Sequence, residues 1–151
     1  MPNIVRALGL IAPIALLTAC SMVAPPYSPA VDNIQSLKNV TTAHAKIGEF
    51  ESRKGVQNPY PVPLRANLLT SAVGGSFSAY LADAMTKELL MAGKLSPQSD
   101  VEIRATLLEN DIDVGIATGA ARLSARFIVT KSGTVRYDRV KSARTQWDSA
   151  F

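Results

Sequence analysis

An α+β fold is the expectation for this chain, with one amphipathic helix packed on a curled, mainly antiparallel sheet of about four strands in the order β-α-β-β-β. Three observations lead there. Ser76 to Ala92 repeats apolar residues every four positions, the period of a helix face. After Asp100 the chain alternates apolar and polar residues through successive segments separated by glycine-containing turns, the period of strands. One further alternating segment precedes the helix, so a crossover, right-handed by the usual rule, joins it to the later strands.

The first 20 residues stand apart from this fold. Arg6 is the positive charge of a short n-region, and Ala7 to Leu17 form an apolar run. A membrane-spanning helix needs about 20 apolar residues; this run is shorter, and Pro13 would kink it. Thr18 and Ala19 then lead to Cys20, the sole cysteine. On Leu17-Thr18-Ala19-Cys20 the chain resembles the bacterial lipoprotein signal, in which Leu, a small residue, and Ala or Gly precede Cys. The resemblance implies cleavage before Cys20, a diacylglycerol thioether on its sulfur and acylation (palmitate-type) of the new amino group, enough chains for stable anchoring. Ser21, where an Asp would mark inner-membrane retention, implies the outer membrane, with the domain on the inner leaflet facing the periplasm and surface exposure kept open. The competing readings are an ordinary signal with a chance cysteine, or a cysteine buried in a cytosolic core; a lone thiol in an exported protein favours lipidation.

The expected organisation is therefore 1–19 signal peptide, 20–40 lipidated N-terminus and Pro-rich tether, and 41–151 a single α+β domain. The 132 residues left after the first 19 of 151 suit one domain. No disulfide can hold it, so packing must. Sixteen basic residues, one of them Arg6, against 12 acidic leave a mature charge of +3, too weak to argue for nucleic acid as a partner.

In chain order, Ser21 to Ala30 carries Pro25, Pro26 and Pro29 and reads as an extended tether. Val31 to Asn39 is too weakly patterned to assign. Thr41 to Glu51 reads as a first strand, with Gly48 as a bulge. Ser52 to Ser71, broken by Pro59, Pro61 and Pro63, reads as a long irregular connection with Pro59-Tyr60-Pro61 as its point of interest. In the helix, Phe77, Leu81, Met85 and Leu89 face the core with Ala84 and Ala92, Ser76 or Ser78 caps the start, Asp83 reaches Lys87, and Gly93 is the stop. Val101 to Leu107 alternates, and its phase flips near Asn110, which predicts a bulge or bend. The next strand points Ala121, Leu123, Ala125, Phe127 and Val129 inward and Arg122, Ser124 and Arg126 outward. A three-residue loop, Lys131-Ser132-Gly133, pairs Val129 with Val135 and keeps faces unmixed, and the last strand runs from Thr134 toward Trp147. The sequence stops at Phe151 in extended-looking chain with one helix for four strands, so the expectation is a missing C-terminal helix or a partner that covers the sheet.

No catalytic constellation survives. Gly74-Gly75 at a helix start lacks a Walker lysine. Gly74-Gly75-Ser76-Phe77-Ser78 misses the nucleophile-elbow pattern at its last position, and His44, the only histidine, reads as mid-strand between Ala43 and Ala45, where a structural or exposed role is expected. Glu109, Asp111 and Asp113 alternate, but a calcium loop would want Gly where Val114 stands and Glu where Ala120 stands, and zinc lacks ligands. No metal, no cofactor and no enzyme activity are expected. Arg122, Arg126 and Arg136 form a candidate face for an anionic ligand; the competing reading is a wet sheet face kept soluble by arginine.

From the lipoprotein signal through Tyr80-Leu81-Ala82-Asp83-Ala84, Glu88 to Gly93, the Gly133 hairpin and Trp147 to Phe151, the chain resembles small envelope lipoproteins of the YajG type and, more loosely, auxiliary lipoproteins of ABC-type lipid transport. That resemblance implies a non-enzymatic binding or adaptor role, accessory to an envelope transport or assembly complex. The expected partners are the membrane through the N-terminal lipid and an envelope protein or anionic lipid, with a lipid- or glycan-binding carrier as the alternative and an envelope enzyme last.

Overall fold

The computed structural model describes residues 20–40, 43–56, 61–65 and 67–148. In chain order they form β1 (Cys20–Val23), α1 (Val31–Val40), β2 (Lys46–Ser52), β3 (Val62–Leu64), β4 (Asn67–Thr70), α2 (Phe77–Met91), β5 (Val101–Val114), β6 (Thr118–Lys131) and β7 (Thr134–Asp148). The fold is α+β, with two helices and two open mixed sheets, ordered β1-β4-β3 and β2-β5-β6-β7.

The larger sheet follows from the alternation in sequence. β2 runs parallel to β5, and β5, β6 and β7 are antiparallel neighbours. Ile103 faces Val129, Ala105 faces Phe127 and Leu107 faces Ala125 across β5 and β6. These pairs present one apolar face, and Leu107 and Ala125 are completely buried. Burying a leucine side chain stabilises by about 1.5–3 kcal/mol. The phase flip appears as a register shift between Leu107 and Glu109, which returns Ile112 and Val114 to the inner parity. A second shift, between Ile47 and Phe50, sits at Gly48 as expected.

The helix lies over β2 and β5. Ser76 caps it, accepting from the Ala79 N–H at 3.2 Å, and Asp83 pairs with Lys87 at 2.7 Å. It ends in a Schellman turn: Gly93 has φ +70°, its N–H donates to the Leu90 carbonyl, and the Lys94 N–H donates to that of Leu89.

Several expectations need correction. The hairpin between β6 and β7 has a two-residue loop, not three, because Lys131 pairs with Thr134. Ser132 and Gly133 have φ of 49° and 79°, the signature of a type I′ turn. The mixed faces that argued against this loop are avoided by a bulge at Arg136, so that Thr130 faces Val135 and Val129 faces Tyr137. Asp100 holds the strained Ser132 through a backbone and a side-chain hydrogen bond, both 2.9 Å.

His44 lies ahead of β2 rather than within a strand; its exposed carbonyl accepts from Ser99 Oγ. The connection from Ser52 to Ser71 is not irregular throughout, for β3 and β4 pair within it and Val62 is buried. Pro59 and Tyr60 lie outside the described residues. The unassigned Val31–Val40 is a helix, and one of its causes is visible: Asp32 in its first turn and Lys38 in its last complement the helix dipole. Above all, the proline-rich segment is not a tether. β1 pairs in parallel with β4, and the Ala24 N–H continues the ladder to the Thr70 carbonyl at 2.8 Å.

Candidate functional site

The N-terminal arm, residues 20–40, closes onto α2 through one carboxylate. Glu88 is on a helix stripe between Ala84 and Ala92, both buried. It is buried, at 6% exposure. Its Oε1 accepts from the Tyr27 hydroxyl, the Ala30 N–H at 3.1 Å and Asn33 Nδ2 at 3.1 Å. Burial pushes the Glu88 carboxyl up, but these donors together overcome it and hold the group below its ordinary value. The same bond, with partial burial, pushes the Tyr27 hydroxyl up. Glu88 Oε2 is buried without a partner among the described residues. Two further contacts fasten the arm: the Tyr80 hydroxyl donates to the Pro25 carbonyl at 2.9 Å, and Lys87 Nζ to that of Tyr27 at 3.4 Å. Glu88, Tyr27 and Asn33 belong to no chemical motif in the sequence. The signal available was a charged residue four positions from an alanine on either side of a core-facing helix stripe.

Leu17, Thr18 and Ala19 lie outside the described residues. Cys20 opens β1, its backbone opposite Asn67. The start of β1 therefore lies at the end occupied by the turn between β3 and β4. From that turn, Arg65 Nη2 donates to the Gly115 carbonyl at 2.6 Å, tying it to the tip of the β5–β6 hairpin.

The three candidate arginines are not gathered into one cluster. Arg122 and Arg126 share the outward face of β6, as their parity requires. Arg126 is engaged: Nε and Nη2 donate to the two oxygens of Asp138 at 2.7 and 2.5 Å, which lowers the Asp138 carboxyl and raises the guanidinium. Arg122 is 4.0 Å from Asp111 and pairs in register with Arg144. Arg136 occupies the bulge toward the opposite end of the strand. Ser124 keeps its outward parity but is buried, accepting from Ser142 Oγ at 3.1 Å.

Beyond the helix, no described element packs in force on the sheet's β6–β7 half. β7 is an edge of the sheet, and Val135, Tyr137 and Val140 on it are exposed, with Arg136 and Arg139 between them and Lys141 and Arg144 beyond. Among the described residues no three His, Cys, Asp or Glu side chains gather to hold a metal ion. Among the described residues, one shallow cleft borders Trp147, with Thr118, Gln146 and Asp148, and another lies over the β5 bulge, with Arg53 and Asn110.

No protein-family model matches the chain, and no curated protein matches it. Among solved structures it is similar to a Xanthomonas campestris protein described under the family model DUF330, with a TM-score of 0.59 and 14% identity over 83% of this chain and 77% of that one. A hypothetical protein from Chlamydia trachomatis gives 0.47 at 13% identity, over 69% and 73% of the two chains. A lipoprotein from Neisseria meningitidis gives 0.31 at 13%, over 71% and 84%. The Xanthomonas protein shares the fold.

Proposed function

We propose that this chain is a bacterial envelope lipoprotein, lipidated on Cys20 and held at the inner leaflet of the outer membrane facing the periplasm, with a non-enzymatic binding or adaptor role. One observation carries the reading: a short apolar run closed by Leu17-Thr18-Ala19-Cys20. The shared fold with the Xanthomonas protein is compatible with it, and no described helix is long and apolar enough to cross a membrane. For the adaptor role, the bare face and edge of β7 supply the surface. A strand edge offers unpaired backbone groups to a partner's strand, and exposed Val135, Tyr137 and Val140, interspersed with Arg136, Arg139 and Lys141, suit an envelope protein with an apolar, acidic segment. The carrier alternative is less well supported, since Asp138 already occupies Arg126.

Mass spectrometry of the mature protein tests the anchor: an N-terminal triacylated Cys20 is expected, and an unmodified Cys20 would refute it. A photo-cross-linker at position 140 in cells tests the adaptor role. One recurring envelope protein is the expected product, whereas recovery of lipid alone would turn the assignment to a carrier.

A further inference from the structure

Four features meet at one end of the molecule. Cys20 faces Asn67 in the β1–β4 register, beside the turn that holds Arg65. Arg65 bonds the Gly115 carbonyl at the tip of the β5–β6 hairpin. The next residue at that tip, Ile116, is 89% exposed, the most exposed large apolar side chain among the described residues. Just past the tip, Trp147 of β7 faces Gly119, and a Cβ on Gly119 would come within 2.2 Å of the indole. Only glycine leaves the ring its place across the strand, where it remains 39% exposed.

We infer that this end is a membrane-contact surface: Ile116 and Trp147 enter the headgroup region of the bilayer that carries the Cys20 anchor, so the domain rests on the membrane in a fixed orientation. The inference rests on the reading of Cys20 as lipidated. Single exposed apolar residues are ordinary on protein surfaces; the placement of these two beside the anchor is what points to lipid. A tryptophan, apolar in body with one polar N–H, suits the membrane–water interface. Because the arm is a strand of the domain and not a loose tether, the anchor delivers the tip to the surface at high effective concentration, and weak contacts suffice. Charge does not drive the contact. Arg65, Arg122 and Arg144 near this end are matched by Asp111, Asp113 and Asp148, so docking is insensitive to anionic lipid and to salt, and the carboxylates keep it shallow.

Trp147 is the only tryptophan, so its emission reports this end alone. The full-length lipidated protein is reconstituted in phosphatidylcholine vesicles with and without brominated acyl chains, and recovered by flotation. The expected result is strong quenching of Trp147 by the brominated lipid, reduced about twofold or more by Ile116→Asp while the protein still floats. Ile116 is too exposed for that change to unfold the domain, and unaltered far-UV dichroism checks it. Floating protein whose Trp147 is unquenched would overturn the contact and leave the anchor standing. Quenching that Ile116→Asp does not alter would overturn the role of the hairpin tip. Protein that fails to float would overturn the anchor and the inference with it.

Discussion

The two halves of the four-stranded sheet are held by different means. Over β2 and β5 lies α2, and there the core is dry: Leu107, Ala105, Leu89 and Ala92 are buried. Over β6 and β7 no described element packs in force, and Leu123, on the inner parity of β6, is 37% exposed. One half is stabilised by apolar burial. The other stands on its hydrogen-bond ladder, its tight hairpin and cross-strand charge pairs such as Arg126–Asp138. The difference separates the surface that must be conserved for folding from the surface available for binding.

The largest expected effect tests that division directly. Leu107→Ala removes a fully buried side chain and is expected to cost about 2–5 kcal/mol in denaturant unfolding. Val140→Ala, on the bare half, is expected to change stability by under about 0.5 kcal/mol. Comparable losses at the two positions would mean that the bare half is packed after all.

Next in size is the seam between arm and helix. Glu88→Ala leaves the Tyr27, Ala30 and Asn33 donors without their acceptor, and Tyr27→Phe leaves the carboxylate short of one; each is expected to cost about 1–3 kcal/mol. Glu88→Gln, which keeps one acceptor oxygen, should cost less than Glu88→Ala. An equal loss would show that charge and not hydrogen bonding closes the seam.

The same seam has a defined pH dependence. Glu88 titrates below its ordinary 4.5 in the fold, so its contribution is complete above that value and is lost as pH falls through the lower, folded one. Tyr27 titrates above its ordinary 10.0, so its contribution is complete below 10.0 and is lost as pH rises through the higher, folded value. The difference in unfolding free energy between wild type and Glu88→Gln should be flat at neutral pH and narrow only on strong acidification. Narrowing near neutrality would contradict the lowered carboxyl.

The smallest effect belongs to the exposed pair. Asp138→Asn should leave the urea midpoint within error, since solvent-exposed ion pairs contribute little. It should also release Arg126, and stronger retention on anionic vesicles by the unlipidated protein would then revive the arginine face as a binding site. Unchanged retention would leave that face to solubility.

How far the sequence could be read follows the same division. Strand alternation from Val101 to Val129 is sharp because one face is dry, and it located β5, β6 and the bend near Asn110 correctly. In β7 both faces are wet, so alternation carries little information, and neither the bulge at Arg136 nor the two-residue loop that depends on it was visible. α2 was legible from its four-residue period to its cap and stop. α1 was not, being short and polar. The arm was misjudged for a physical reason: prolines exclude helix but not docking, and its attachment depends on one hydroxyl, one amide and one backbone N–H meeting a carboxylate far along the chain. Of the candidate sites, Cys20 stands out in the sequence as part of a linear motif, a reading that mass spectrometry has to test. The end of the molecule it shares with Ile116 and Trp147 was not legible, because strand register alone brings them together.

Hydrogen exchange at two backbone amides most directly tests whether the N-terminal arm is part of the domain. The Ala24 N–H donates to the Thr70 carbonyl and the Ala30 N–H to Glu88. In the mature protein both should exchange slowly, and Glu88→Ala should speed Ala30 well beyond its wild-type rate. Fast exchange at both positions in the wild type, as in an unattached proline-rich linker, would contradict the docked arm and the fixed orientation that depends on it.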